Sequence, residues 1–259
     1  MIANLSQLLS SLPPATLPPG RMVEPEDGGP PPYWLSDAPA DPELWARMRS
    51  RHPGSGLWPL LLSGLSSDES RPWVDGEVSP ADMSSPERHD AAELLARWWA
   101  GCTTADEEET LAATAPFGRN WPGLAVPGDQ AERPDALADE CVGFLADART
   151  RLGLVPAVRS ADTLAVVGWS GPMNHTGDAG EISAVLRSWE DRFGIRVVGV
   201  GFATLHLSVA APPKSIGHAL AVAAEHFAFC PDNVWQGAGS VAAYAEQIVG
   251  MPSWSFWWD

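Results

Sequence analysis

The chain has 259 residues, is 45% hydrophobic and carries a formal net charge of −17, proportions that suit a globular protein with a sizeable core. A field of that sign repels phosphate backbones and anionic membranes, so neither nucleic acid nor a membrane surface is an expected partner; a basic protein is. Three widely spaced cysteines, Cys102, Cys141 and Cys230, exclude a disulfide framework and a CxxC metal pair.

The charge is uneven. Residues 1–158 hold twenty-four acidic and eleven basic groups, whereas 159–259 hold nine and five. One lysine stands against fifteen arginines, which is the signature of codon bias. Thirteen Trp against two Tyr concentrate apolar area in large rings whose N–H groups need partners when buried. The opening segment has no early basic residue and no run nears the roughly 20 apolar residues of a membrane span, so a soluble, cytoplasmic protein is expected.

In chain order, Leu5, Leu8, Leu9 and Leu12 are spaced for a short amphipathic helix over 3–12. Residues 13–32 read as a Pro/Gly-rich linker. Asp41-Pro42 opens a helix to about Arg51, as an N-cap followed by proline at the first position. Residues 56–62 make a short apolar strand, and Pro59 places it at an edge or a bulge. A loop over 64–88 carries Trp73. Helices follow at 90–100, with Leu94, Leu95, Trp98 and Trp99 inward, and at 106–113. The longest helix of this half runs over 135–152, with Leu137, Cys141, Phe144, Leu145 and Ala148 on its apolar stripe.

Residues 163–169 are expected as a strand, and 179–193 as a helix stopped by Gly194. Strands follow at 195–200 and 203–210, helices at 215–227 and 240–249, and an aromatic strand at 254–258. The order β-α-β-β-α-(α)-β predicts an α+β fold. Its C-terminal part is a ferredoxin-like (βαββαβ) antiparallel sheet with helices on one face. Residues 1–154 form a mostly helical, loop-rich region ahead of that domain at 155–259.

Three groups offer chemistry. Thr204, His206 and Ser208 should share the sheet face away from the helices, as a polar binding surface or as an interface under the N-terminal half. The stretch 229–237 holds Cys230, Asp232, Asn233 and Gln236. Cys230 is a nucleophile if a neighbour lowers its pKa, or a buried structural thiol with Asp232 capping the next turn. The stretch 168–175 resembles a nucleophile elbow only superficially, because the second glycine directly follows Ser170; a tight turn fits better, with Asn174 and His175 free to line a pocket. His218 and Glu225 are read as a solvated helix face. No metal-binding spacing and no phosphate loop is found, so no metal and no cofactor is expected.

Trp169-Ser-Gly-Pro-Met-Asn174, Ser188-Trp-Glu-Asp-Arg-Phe-Gly194, Thr204-Leu205, Ala211-Pro-Pro213, Phe229-Cys-Pro-Asp232 with Gln236-Gly237, and Phe256-Trp-Trp-Asp259 together resemble an uncharacterised bacterial family, domain of unknown function 4253. The resemblance covers about 155–259. It implies a cytosolic bacterial protein, such as the family's many members in actinobacteria, and supplies no activity.

The chain is therefore expected to be a non-catalytic interaction protein with an acidic surface, an immunity-type factor being a narrower version. The alternative is an enzyme or small-ligand binder with a pocket between loops 169–175 and 230–237. Trp169, Asn174, His206, Cys230, Asp232, Gln236 and Asp259 are the candidate binding residues.

Overall fold

The computed structural model describes residues 4–13, 16–104, 107–129 and 133–259. Its first half contains α1 (Leu5–Ser10), β1 (Gly20–Val23), β2 (Tyr33–Pro39), α2 (Pro42–Ser55), β3 (Leu57–Ser63), α3 (Ala91–Cys102), α4 (Glu107–Ala113) and α5 (Pro134–Leu145). There follow β4 (Thr150–Pro156), α6 (Thr163–Val167), α7 (Ala179–Phe193), β5 (Ile195–Val200), β6 (Thr204–Val209), α8 (Ile216–Phe229), α9 (Val241–Ile248) and β7 (Ser253–Trp257). Several helix starts are written locally. The side chains of Asp41, Asp90, Asp178, Ser215 and Ser240 each accept a first-turn N–H, and Gly194 ends α7 in the left-handed region.

Among the described residues the strands form one seven-stranded mixed sheet in the order β1-β2-β4-β3-β5-β6-β7. This corrects the ferredoxin-like expectation. β3 lies between β4 and β5 and runs parallel to β5, while β5, β6 and β7 continue as an antiparallel meander. The reason is the apolar content of β3: Leu57 through Leu62 are all buried, so this strand needs cover on both faces and takes a central place. Beside its five α-helices, the described part of the N-terminal region also supplies β1, β2 and β3 to the sheet. β4 itself spans the division expected at 154/155.

Helices cover both faces rather than one. α2 packs on β3, and α5 on β5 and β6; on the opposite face α6 packs on β4, α7 on β5, and α3 lies across α7 and α8. Trp254 and Phe256 of β7 meet Trp189 of α7 and His226 of α8, closing an aromatic core on that side.

Pro59 sits in the interior of the sheet, against the edge or bulge expectation. Its missing N–H faces β5, where pairing begins only at Leu61. The Val197 carbonyl on that side accepts from Trp58 Nε1 at 2.9 Å instead. The strand expected at 163–169 is α6 and a turn, because a short run buried on every side has no periodicity to separate helix from strand. The helix expected to reach 152 ends at Leu145, leaving Phe144 91% exposed rather than on a buried stripe. The linker expected over 13–32 contains β1; part of it, like the start of the first helix, lies outside the described residues. No helix among the described residues is long and apolar enough to cross a membrane.

Candidate functional site

α6 ends at Gly168 (φ 75°), where a side chain would strike the backbone of Ser79 and Pro80. The chain then turns through 170–175. Trp169 is buried and donates from Nε1 to the Gly201 carbonyl at 3.0 Å, its ring edge-on to Trp258 at 5.6 Å. Gly171 wraps this ring, since any Cβ there would overlap it. The turn carries Asn174 and His175 toward the last residues of the chain. α8 ends at Phe229, and Cys230 leads into a π-helical turn, Asn233–Ala238.

The two loops meet at the outer edge of β7. Trp258 N–H donates inward to Ala203 O, so the backbone groups of Ser255, Trp257 and Asp259 face outward. Each receives a side chain. Asn233 Nδ2 donates to Ser255 O at 2.7 Å while its Oδ1 accepts from Trp257 N–H at 3.3 Å, so one amide stands in for a neighbouring strand. Cys230 Sγ–H donates to Trp257 O at 2.9 Å, and Asp232 Oδ2 accepts from Asp259 N–H at 3.1 Å. Asn174 Nδ2 donates to Asp259 O at 2.6 Å, and Gln236 Nε2 to Asp232 Oδ1 at 3.0 Å.

Five of the seven candidate residues, Asn174, Cys230, Asp232, Gln236 and Asp259, thus gather into a clasp over a strand edge, with Trp169 packed beneath it on Trp258. Asn174 and Asp232 are bridged by a single residue, Asp259. His206 stands apart on the other face of β6, half-buried, with Nδ1 3.0 Å from Ser255 Oγ. Ser208 beside it is fully buried with no hydrogen-bond partner among the described residues. α5 packs on this face of β5 and β6, as the interface alternative anticipates.

Burial sets the proton states. It pushes the Cys230 thiol up to about 12, its hydrogen bonds offsetting only part, which favours the structural over the nucleophilic alternative. Cys102 is raised to about 11 by burial and by Asp232. His175 is lowered to about 4 by burial, its ring on Trp98 at 4.8 Å and its Nε2 without a partner among the described residues.

Residues 151–259 match the family model for DUF4253, a domain of unknown function. No curated protein and no solved structure matches the chain. The DUF4253 segment holds the whole clasp, yet β3, from outside it, is part of its sheet.

The segment also contains a buried charged centre. Glu225 is completely buried, not on a solvated face. Its carboxylate accepts from Ala125 N–H (2.6 Å), Trp189 Nε1 (2.7 Å) and both terminal nitrogens of Arg192 (2.8 and 2.6 Å). His218 binds Val126 O at 2.8 Å, so α8 and α7 jointly hold the 121–129 loop. The signal was present: residues 219–229 are apolar on every side except Glu225 and His226, and a helix apolar all round is buried.

His226 is also fully buried, boxed by Trp189, Trp254, Phe256 and Tyr244, with Nδ1 3.2 Å from Tyr244 Oη. Burial, aided by Arg192, holds its pKa well below the ordinary value. The unfolded chain titrates near 6.5 and therefore takes up a proton that the folded chain refuses. Stability should fall as pH drops below about 6.5, by up to about 1.4 kcal/mol per pH unit for this group. Urea titrations at a series of pH values, beside His226→Phe, test this. The variant should show a slope shallower by one proton, and equal slopes would mean that His226 is charged when folded.

Two clefts, of about 380 and 280 Å³, flank the C-terminal half of α7 and share Asp191 and Arg192. The guanidiniums lining the larger one are already paired: Arg159 with Glu190, Arg187 with Asp162, Arg192 with Glu225.

Proposed function

We propose that the protein is a non-catalytic, cytoplasmic interaction protein that uses its acidic surface against a basic partner, an immunity-type factor being the narrower version. One observation carries this reading: the clasp side chains and the cleft arginines are committed to partners inside the molecule, whereas many carboxylates of its −17 surplus face solvent. Glu24, Glu26 and Asp27 are exposed, and a second exposed group, Asp68, Glu69 and Asp75, lies on the loop that joins them where Glu26 N–H donates to Gly76 O, its members also bonded to Ser70 and Arg149. Such a surface steers oppositely charged partners.

The test is the association rate of a fluorescent peptide alternating lysine and valine. Reversing Glu24, Glu26 and Asp27 to lysine should slow association about tenfold at low salt. The difference should fade near 1 M salt, where the screening length is about 3 Å. Equal rates at low salt would end this reading.

A second reading, a small-ligand site, draws support from the meeting of loops 169–175 and 230–237 beside His175 Nε2, which has no partner among the described residues. A small molecule retained in native mass spectrometry of the gently purified protein would favour it; a bare chain mass would exclude tight retention.

A further inference from the structure

The two ends of the sheet are finished differently. At β7 the Ser255 carbonyl and the outward groups of Trp257 and Asp259 are met by Asn233, Cys230, Asp232 and Asn174. At β1 they are not. Asp37 N–H donates to Pro19 O, and the register pairs Gly20 with Ser36 and Met22 with Trp34. By antiparallel alternation Arg21 and Val23 face β2, while Gly20 and Met22 turn their N–H and C=O groups away from it. Among the described residues nothing hydrogen-bonds to those groups. Both residues are exposed, Met22 by 42%.

The opening is bounded. Beyond Val23 the neighbouring loop closes over the edge: Glu26 N–H donates to Gly76 O at 2.8 Å, and a side chain at Gly76 would collide with the Glu24 carbonyl. Arg21 adds a bond to Val74 O at 3.0 Å. Residues 20–27 and 74–77, which meet at this edge, carry Glu24, Glu26, Asp27, Asp75 and Glu77 against Arg21, and Glu77 is paired with Arg71.

We propose that the β1 edge is a docking strand that accepts an extended, lysine- or arginine-rich segment of a partner protein by strand addition. This rests on the acidic-interaction reading and specifies its site. The unpaired main-chain groups at 20 and 22 supply the ladder that an added strand needs. The acidic frame selects the charge of that strand, and disfavours a second copy of this chain, which would bring two acidic rims together.

The test is Met22→Pro, because proline on an edge strand removes the outward N–H and leaves the inner ladder intact. The lysine–valine peptide should bind this variant about tenfold more weakly than the native protein, with Met22→Ala unchanged. In the native protein the amides of Gly20 and Met22 should gain protection from hydrogen exchange when the peptide is added. That readout stands even if Met22→Pro folds poorly. A glutamate–valine peptide should not bind, and equal binding of it would overturn the proposal. Lysine-peptide binding that survives Met22→Pro and leaves Met22 unprotected would overturn the docking strand while sparing the acidic-surface reading. No binding of the lysine peptide would overturn both. A self-associated form lost in Met22→Pro would replace the basic partner with a second copy.

Discussion

Glu225→Ala is expected to destabilise the protein by about 3–5 kcal/mol, measured by urea denaturation. The carboxylate is fully buried and serves four donors from three residues: Arg192 and Trp189 of α7, and Ala125 of the 121–129 loop. Removing it strands a guanidinium that is only 12% exposed, and leaves the Trp189 and Ala125 N–H groups without acceptors. Glu225→Gln should also be strongly destabilising, because its amide places a donor against a donor.

The companion Arg192→Met strands the opposite charge. In the double variant Glu225→Ala with Arg192→Met neither charge is left alone, so it should be less destabilised than the two single changes added together. It should not regain native stability, since the two N–H groups remain unsatisfied. A loss below about 1 kcal/mol for Glu225→Ala would mean that water reaches the site and that the pair is not what holds the 121–129 loop.

Trp258→Ala should lose a comparable amount, about 3–5 kcal/mol. Alternation along β7 requires one aromatic set to point inward. Trp254, Phe256 and Trp258 are 1%, 1% and 5% exposed, whereas Trp257 on the other face is 37% exposed. The Trp258 ring lies against Trp169 at 5.6 Å and Phe229 at 5.5 Å, so truncation opens a void beneath the clasp. Trp258→Phe should be much milder: it keeps most of the contact and removes an indole N–H that has no partner among the described residues. A loss below about 1 kcal/mol for the alanine variant would show that the terminal strand is peripheral to folding.

The clasp was half legible. Asn174, Asp232 and Gln236 stand out because polar side chains crowd two short loops, and the structure brings those loops together at Asp259. Their geometry was not legible, because what they bind is main chain at the outer edge of β7. Nothing in residues 253–259 says which side of the strand lacks a neighbour; only the sheet order does. Cys230 shows the same limit, since a thiol in a polar loop reads equally as nucleophile or as donor until its acceptor, Trp257 O, is located.

Local signals determined a good deal. The caps and stops of α2, α3, α7, α8 and α9 were written in single residues, and the β-branched or alternating runs of β5, β6 and β7 announced strands where strands occur. These are short-range effects: a side chain bonding the first turn, a glycine tolerating a positive φ, a period of two. Tertiary structure decided the rest. It placed a proline-bearing β3 in the middle of the sheet, made 163–167 a helix, and took Glu225 and His226 out of solvent. Each of those outcomes depends on which surface covers a segment from outside, and in this chain the covering residues lie tens to more than a hundred positions away.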